Sequence, residues 1–222
     1  IDDVEQLSFV SATSVNGALE LASGALNEKR QLRSFRHPRY EPNRGHVYSN
    51  STILPDASND GERSFGIFTK ENGVMFRLRS GVLYAVRRTT VDSVTTDTEE
   101  AITLPADIDL EKGNVFDIQF QWRGVGSYFF YINLKLVHSF SLLGTLTDLS
   151  ISDPALPIAQ ESINQGDAVT LKVGCVDVTS EGGKNNGKTY GSIGISTETG
   201  SVNISGYNQP ILAVRNKKLI GS

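Results

Sequence analysis

The stretch FDIQFQWRGVGSYFFYIN, residues 116–133, decides the fold. Phe116, Ile118, Phe120 and Trp122 alternate with Asp117, Gln119 and Gln121. This is the period of two that sends successive side chains to opposite faces of a β-strand. The run breaks at Gly124-Val125-Gly126 and resumes at Tyr128-Phe129-Phe130-Tyr131-Ile132, with aromatics at both parities. The expected unit is an antiparallel hairpin with one face in a core and the other covered by a further layer or a long loop. By the same alternation Trp122 points into the core, and the glycines serve the turn.

Outward from this hairpin the chain keeps the same pattern. Its 21 glycines, with many Ser, Thr, Asn and Asp, separate short β-rich runs and leave no convincing helical period. RSFGIFTK (63–70), GVMFRLRS (73–80) and GVLYAVRRTTV (81–91) predict a meander that turns at Glu71-Asn72-Gly73 and Ser80-Gly81. Asn16-Gly17 predicts a tight hairpin within residues 7–26, because this pair readily supplies two positive φ angles. HVYSNSTIL (46–54), KLVHSFSLL (135–143) and AVTLKVGCVDV (168–178) read as strands, and residues 190–216 supply the last ones. Asp92–Gly113 is acidic and Thr-rich and reads as a connection with one short strand at AITLP (101–105). From Gly144 to Gly166, Pro154 and Pro157 predict a long crossing between sheets. About a dozen strands with short hairpins make the fold class all-β: an antiparallel sandwich of jelly-roll or concanavalin/lectin-like topology.

The 222 residues fit one sandwich domain spanning 1–222, with 1–30 as an N-terminal hairpin extension. The first residues contain neither Met nor a secretory signal, so a processed piece of a longer protein is expected. No apolar run approaches the ~20 residues of a membrane-spanning helix. A net charge of −4 argues against nucleic acid and anionic membranes as partners. The single cysteine, Cys175, excludes an internal disulfide framework, and its alternation with Leu171 and Val173 reads as a small buried hydrophobe.

Catalytic chemistry finds little to work with. Only His37, His46 and His138 could act as imidazole bases, no nucleophile elbow accompanies them, and His138 reads as a packed structural residue. Glycan-cleaving sandwiches carry acids at alternate positions of one strand; no Glu-x-Asp-x-Glu occurs, and Asp97–Glu100 and Asp107–Glu111 read as solvated loop acids. The loop Asp56–Glu62 offers oxygen ligands at a spacing that fits no EF-hand. The reading is therefore a non-enzyme without catalytic residues, metal or cofactor.

Two sets of residues point to binding. A basic segment from Lys29 to His46 contains Arg30, Arg33, Arg36, Arg39 and Arg44, candidates for a subunit interface because each guanidinium offers a planar fork of donors, or else for pairing with this chain's own acids. Tyr84, Tyr128, Tyr190 and Tyr207 are candidates for stacking against a sugar ring in a shallow groove.

Several phrases recur together in this chain. They are RSFRHPRYEPNRGHVY (33–48), FGIF (65–68), NGVMF (72–76), GVLYAVRR (81–88), QWRGVG (121–126), His138, DPALP (153–157), CVDVTSEGG (175–183) and PILAVR (210–215). In order and spacing they resemble a structural module of virion proteins from tailed bacteriophages and large DNA viruses. IAQESIN (158–164) departs from that module in lacking an arginine soon after the proline. The resemblance implies a non-enzymatic capsid, neck, baseplate or fibre component in the virion. It would join other virion proteins and further copies of itself. The alternative is a receptor-recognition module of a tail fibre or spike that binds a host surface glycan.

Overall fold

The computed structural model describes residues 13–15, 18–34, 37–38, 45–120, 126–141, 151, 153 and 155–180. Thirteen strands and no helix lie among these residues. One antiparallel sheet runs in the order β1 (Thr13–Val15), β2 (Ala18–Ser23), β13 (Val169–Ser180), β4 (His46–Ile53), β9 (Asn114–Phe120), β10 (Tyr128–Ile132) and β11 (Lys135–Phe140). The second runs β3 (Lys29–Arg33), β12 (Ile158–Asn164), β5 (Gly61–Phe68), β6 (Gly73–Arg79), β7 (Val82–Val91) and β8 (Val94–Ala101). The all-β sandwich expected from the sequence is the fold.

The opening stretch supplies the middle of the core. β9 and β10 pair as expected, with Phe116 opposite Ile132 and Phe120 opposite Tyr128. Phe116 of the seven-stranded sheet meets Phe65 and Phe76 of the six-stranded one edge-on, at centroid separations of 4.9 and 5.1 Å, and Phe76 meets Phe130 at 5.1 Å. Such edge-to-face contacts align the positive ring edge with the negative ring face and join the sheets. Trp122, within residues 121–125, lies outside the described residues. On the outer side of β10, Phe129 and Tyr131 are only half-buried. The strands buried on both faces are instead β5 and β6.

Four sequence expectations need correction. Residues 94–101 are not a loop: they form β8, whose acids enter the sheet face described below. The turn that starts this strand is Asp92-Ser93, with φ of 49° and 65°, between the paired residues Val91 and Val94. Both central residues take the positive φ that a two-residue hairpin with strand-compatible twist needs, without an Asn-Gly signal. AITLP is not itself a strand beyond Ala101, although Ile102 and Leu104 pack on the core. Residues 158–164, read as part of a crossing connection, form β12, hydrogen-bonded between β3 and β5. Cys175 is exposed: the β13–β4 register shifts between Val173 and Val176, and this irregularity ends the alternation that would have buried the thiol.

Candidate functional site

The outer face of the six-stranded sheet carries the densest chemistry of the described residues. Strand register sets Gln31, Glu161, Ser64, Arg77 and Tyr84 in one row across it. Ala159, Gly66, Met75, Val86 and Glu99 form the next, and Arg88 and Asp97 pair beside them. Every position here follows from period-two alternation once the register is fixed.

Arg77 is the hub. Its Nε lies 3.1 Å from Glu62 and donates to Ser64 Oγ at 3.2 Å; its Nη1 lies 2.9 Å from Asp97 and also contacts Glu99. Arg79 reaches Glu99 at 2.7 Å, and Arg88 grips Asp97 with Nε and Nη2 at 2.7 and 2.8 Å. Three arginines thus interlock with three carboxylates. Arg77 is only 5 % exposed, so its charge is held in place by these partners rather than by water.

The electrostatics follow from that arrangement. Burial alone would raise the Asp97 carboxyl, but the hydrogen bond and charge of Arg88, followed by those of Arg77, outweigh it and hold Asp97 below the usual carboxylate range. Burial opposes the charge of Arg77 as well, yet Glu62, Asp97 and Glu99 together raise its affinity for the proton. Asp97 is therefore fixed as an anion at neutral pH, the opposite of the raised value that a general acid needs.

Beside this network a cleft of about 400 Å³ is lined by Lys29, Arg33, Phe68, Lys70, Arg88, Thr95, Asp97 and Glu161. Glu161 accepts from Gln31 Nε2 at 2.8 Å and pairs with Lys29 at 2.7 Å. A second cleft, about 470 Å³, adjoins it through the shared Lys70 and Thr95. Both volumes fall in the range of small-molecule sites.

The sequence candidates separate in space. Arg33 lies at the cleft, while Arg30 has the opposite strand parity and pairs with Glu28. They therefore do not form one basic patch. Tyr84 lies on the outer face with the Arg79 guanidinium 5.2 Å from its ring centroid. Tyr128 is 1 % exposed and packs in the core, so it presents no ring to a sugar. Arg36, Arg39, Arg44, Tyr190 and Tyr207 lie outside the described residues. His138 packs against Phe140 at 4.7 Å and stands 3.5 Å from Glu100, joining edge strands β11 and β8. In the Asp56–Glu62 loop, Asp60 accepts from Ser80 and Glu62 turns to Arg77. The buried Arg63 guanidinium takes the carbonyls of Pro55, Asp56 and Ala57.

The sequence singles out none of Arg77, Arg79, Arg88 and Glu161, and it sets Glu62 among loop ligands and Asp97 and Glu99 among solvated loop acids, whereas all three acids pair with arginines on the sheet. The available signal was complementary charge at period two: Arg77 and Arg79 on one strand, Asp97 and Glu99 two strands away.

No protein-family model and no curated protein matches the sequence. Among solved structures the chain is similar to an endo-acting O-glycanase of the human gut microbiota, at 13 % identity and a TM-score of 0.56 over 75 % of this chain and 81 % of that one. It is similar to an endo-1,3-beta-glucanase from Streptomyces sioyaensis, at 10 % identity and 0.53 over 74 % and 76 %. The metal-free carbohydrate recognition domain of Emp46p matches at 13 % identity and 0.50 over 73 % and 82 %. At these identities the likeness defines a lectin-like β-sandwich.

Proposed function

We propose that this chain is a non-catalytic carbohydrate-binding domain that uses the outer face of the six-stranded sheet. The observation that carries the reading is the cleft lined by Lys29, Arg33, Arg88, Thr95, Asp97 and Glu161 beside an interlocked set of charged side chains. Side chains held by one another lose little freedom when a ligand arrives, and this pre-organisation favours recognition. Two neighbours that share the fold are named for glycan cleavage and a third for carbohydrate recognition, which supports this class of ligand. Binding without turnover is favoured because Asp97 is held ionised and, with Glu62 and Glu99, is occupied by arginines.

The virion resemblance in the sequence supplies a setting for this domain: a receptor-recognition module of a tail fibre or spike. Host-surface glycans would then be its partners on one side, and virion proteins, including further copies of the chain, on the other. A glycan array followed by calorimetry tests the binding, and incubation of each hit with protein tests turnover. The expected result is saturable binding with no new reducing ends. An array without hits would refute the carbohydrate reading, and released reducing ends would refute the non-catalytic one.

A further inference from the structure

Around the cleft between β3 and β7 the cations outnumber the carboxylates, four to two. Its acceptors are Asp97, Glu161 and the Thr95 hydroxyl. Asp97 already receives Arg88 through two nitrogens and Arg77 through a third, and Glu161 receives Gln31 and Lys29. Two carboxylates that have taken this many donors have little left to offer the hydroxyls of a neutral sugar.

The donor side is larger. Lys29 and Arg33 come from β3, Lys70 from the β5–β6 turn and Arg88 from β7, so four cations from three parts of the chain meet two acids around one space. Arg33 and Lys70 have partners of their own. Arg88 already uses all three nitrogens on Asp97 and the Thr69 carbonyl, so the donors left for a ligand are those of Lys29, Arg33 and Lys70, since a guanidinium with five N–H groups and an ammonium with three retain donors after a first contact. Lys70 and Thr95 continue into the second cleft, where Glu71, Thr90 and Ser93 join them, so the space extends beyond one sugar-sized site while the cations stay concentrated in the first cleft.

We infer that this cleft takes an acidic glycan, one whose sugars carry carboxylate or sulfate groups. Such groups are acceptors only and match the surplus of donors, and the planar guanidinium of Arg33 suits either of them. The net charge of −4 repels a polyanion at long range, so attraction has to come from this local set of cations. This inference rests on the carbohydrate reading above and narrows it to a ligand class.

The test is an array of matched neutral, carboxylated and sulfated oligosaccharides, using the full chain and the variants Lys29→Gln and Lys70→Gln. Both lysines are exposed, so neither change empties the core; melting curves confirm that each variant is folded. Acidic glycans are expected to bind and their neutral counterparts not. Affinity should fall as salt rises from about 0.05 to 0.5 M, and each variant should lose about tenfold. The carboxylated and sulfated arms identify which anion is preferred. Equal binding of the neutral arm would overturn the acidic class while leaving the carbohydrate reading intact. Acidic binding that both variants retain in full would overturn this cleft as its seat. No binding in any arm would overturn both readings.

Discussion

The Arg77 guanidinium, rooted in β6, reaches across β7 and stands 2.9 Å from the Asp97 carboxylate in β8. One side chain of β6 thus ties β8 on one side to Glu62 of β5 on the other. Replacing Arg77 by Met keeps most of the apolar stem but leaves three carboxylates close together without their common cation. Removing one partner of a buried ion network typically costs about 3–5 kcal/mol, because the remaining charges stay desolvated. We expect a loss of that size for Arg77→Met in urea unfolding at neutral pH, with an unchanged m-value. A loss below about 1 kcal/mol would mean that water already satisfies the carboxylates, as at exposed pairs.

The same network sets an acid limit. Asp97 has a lower pKa folded than unfolded, since Arg88 and Arg77 outweigh its burial. Between the two values the unfolded chain binds more protons, so stability rises with pH there. The contribution is complete above the unfolded value of about 3.9 and is lost as pH falls through the lower folded value. Unfolding free energies measured from pH 6 down to 2 should therefore fall less steeply for Asp97→Asn than for the parent at the acid end. Parallel curves for the two proteins would remove Asp97 from the acid response.

Gly66 makes the sheet face possible in a different way. A Cβ there would lie 2.4 Å from the carbonyl oxygen of Val74 and 2.7 Å from Met75 Cα, both backbone atoms of the neighbouring strand. Neither can swing aside, so Gly66→Ala has to push β5 away from β6. Overpacking of this kind costs about 1–3 kcal/mol or more. Because Gly66 lies in the row with Met75, Val86 and Glu99, the variant should also weaken the glycan binding proposed for the cleft. A variant of unchanged melting temperature would show that the strands separate without cost.

The sandwich was legible in the sequence because β9 and β10 write their alternation in aromatics, and Phe116, Ile118 and Phe130 are buried on that parity. The acidic face was not. In β8, Asp97 and Glu99 alternate with Thr96 and Thr98, so the strand has no apolar parity to detect. Its outward side is satisfied by Arg88 on the neighbouring strand and by Arg77 and Arg79 two strands away, and a pairing register cannot be read from one strand. β12 was hidden in the same manner, since Gln160, Ser162 and Asn164 occupy its buried side. β4 shows the general difficulty. Its alternation was plain, but the buried parity is the polar one, His46, Tyr48, Asn50 and Thr52, which composition alone would have turned outward.

Hairpin turns carried by unusual residues leave a further mark. Asn133 and Leu134 join β10 to β11 with φ of 49° and 66°, and the Leu134 side chain is 86 % exposed. A leucine in the left-handed region crowds its Cβ against the following carbonyl, at a cost of roughly 1–2 kcal/mol. Glycine avoids that crowding but gives back about 0.5–1 kcal/mol through the freedom it gains when unfolded. With so little Leu134 surface buried, almost no packing is lost, and Leu134→Gly should stabilise the protein by about 0.5–1 kcal/mol. For a chain of this size a full 1 kcal/mol corresponds to about 2–4 °C in melting temperature. Asn133 is left intact because its side chain accepts from the Val115 N–H at 2.9 Å and donates to Asn114 at 2.8 Å. A lower melting temperature for Leu134→Gly would show that the exposed leucine is held by contacts worth more than its backbone strain.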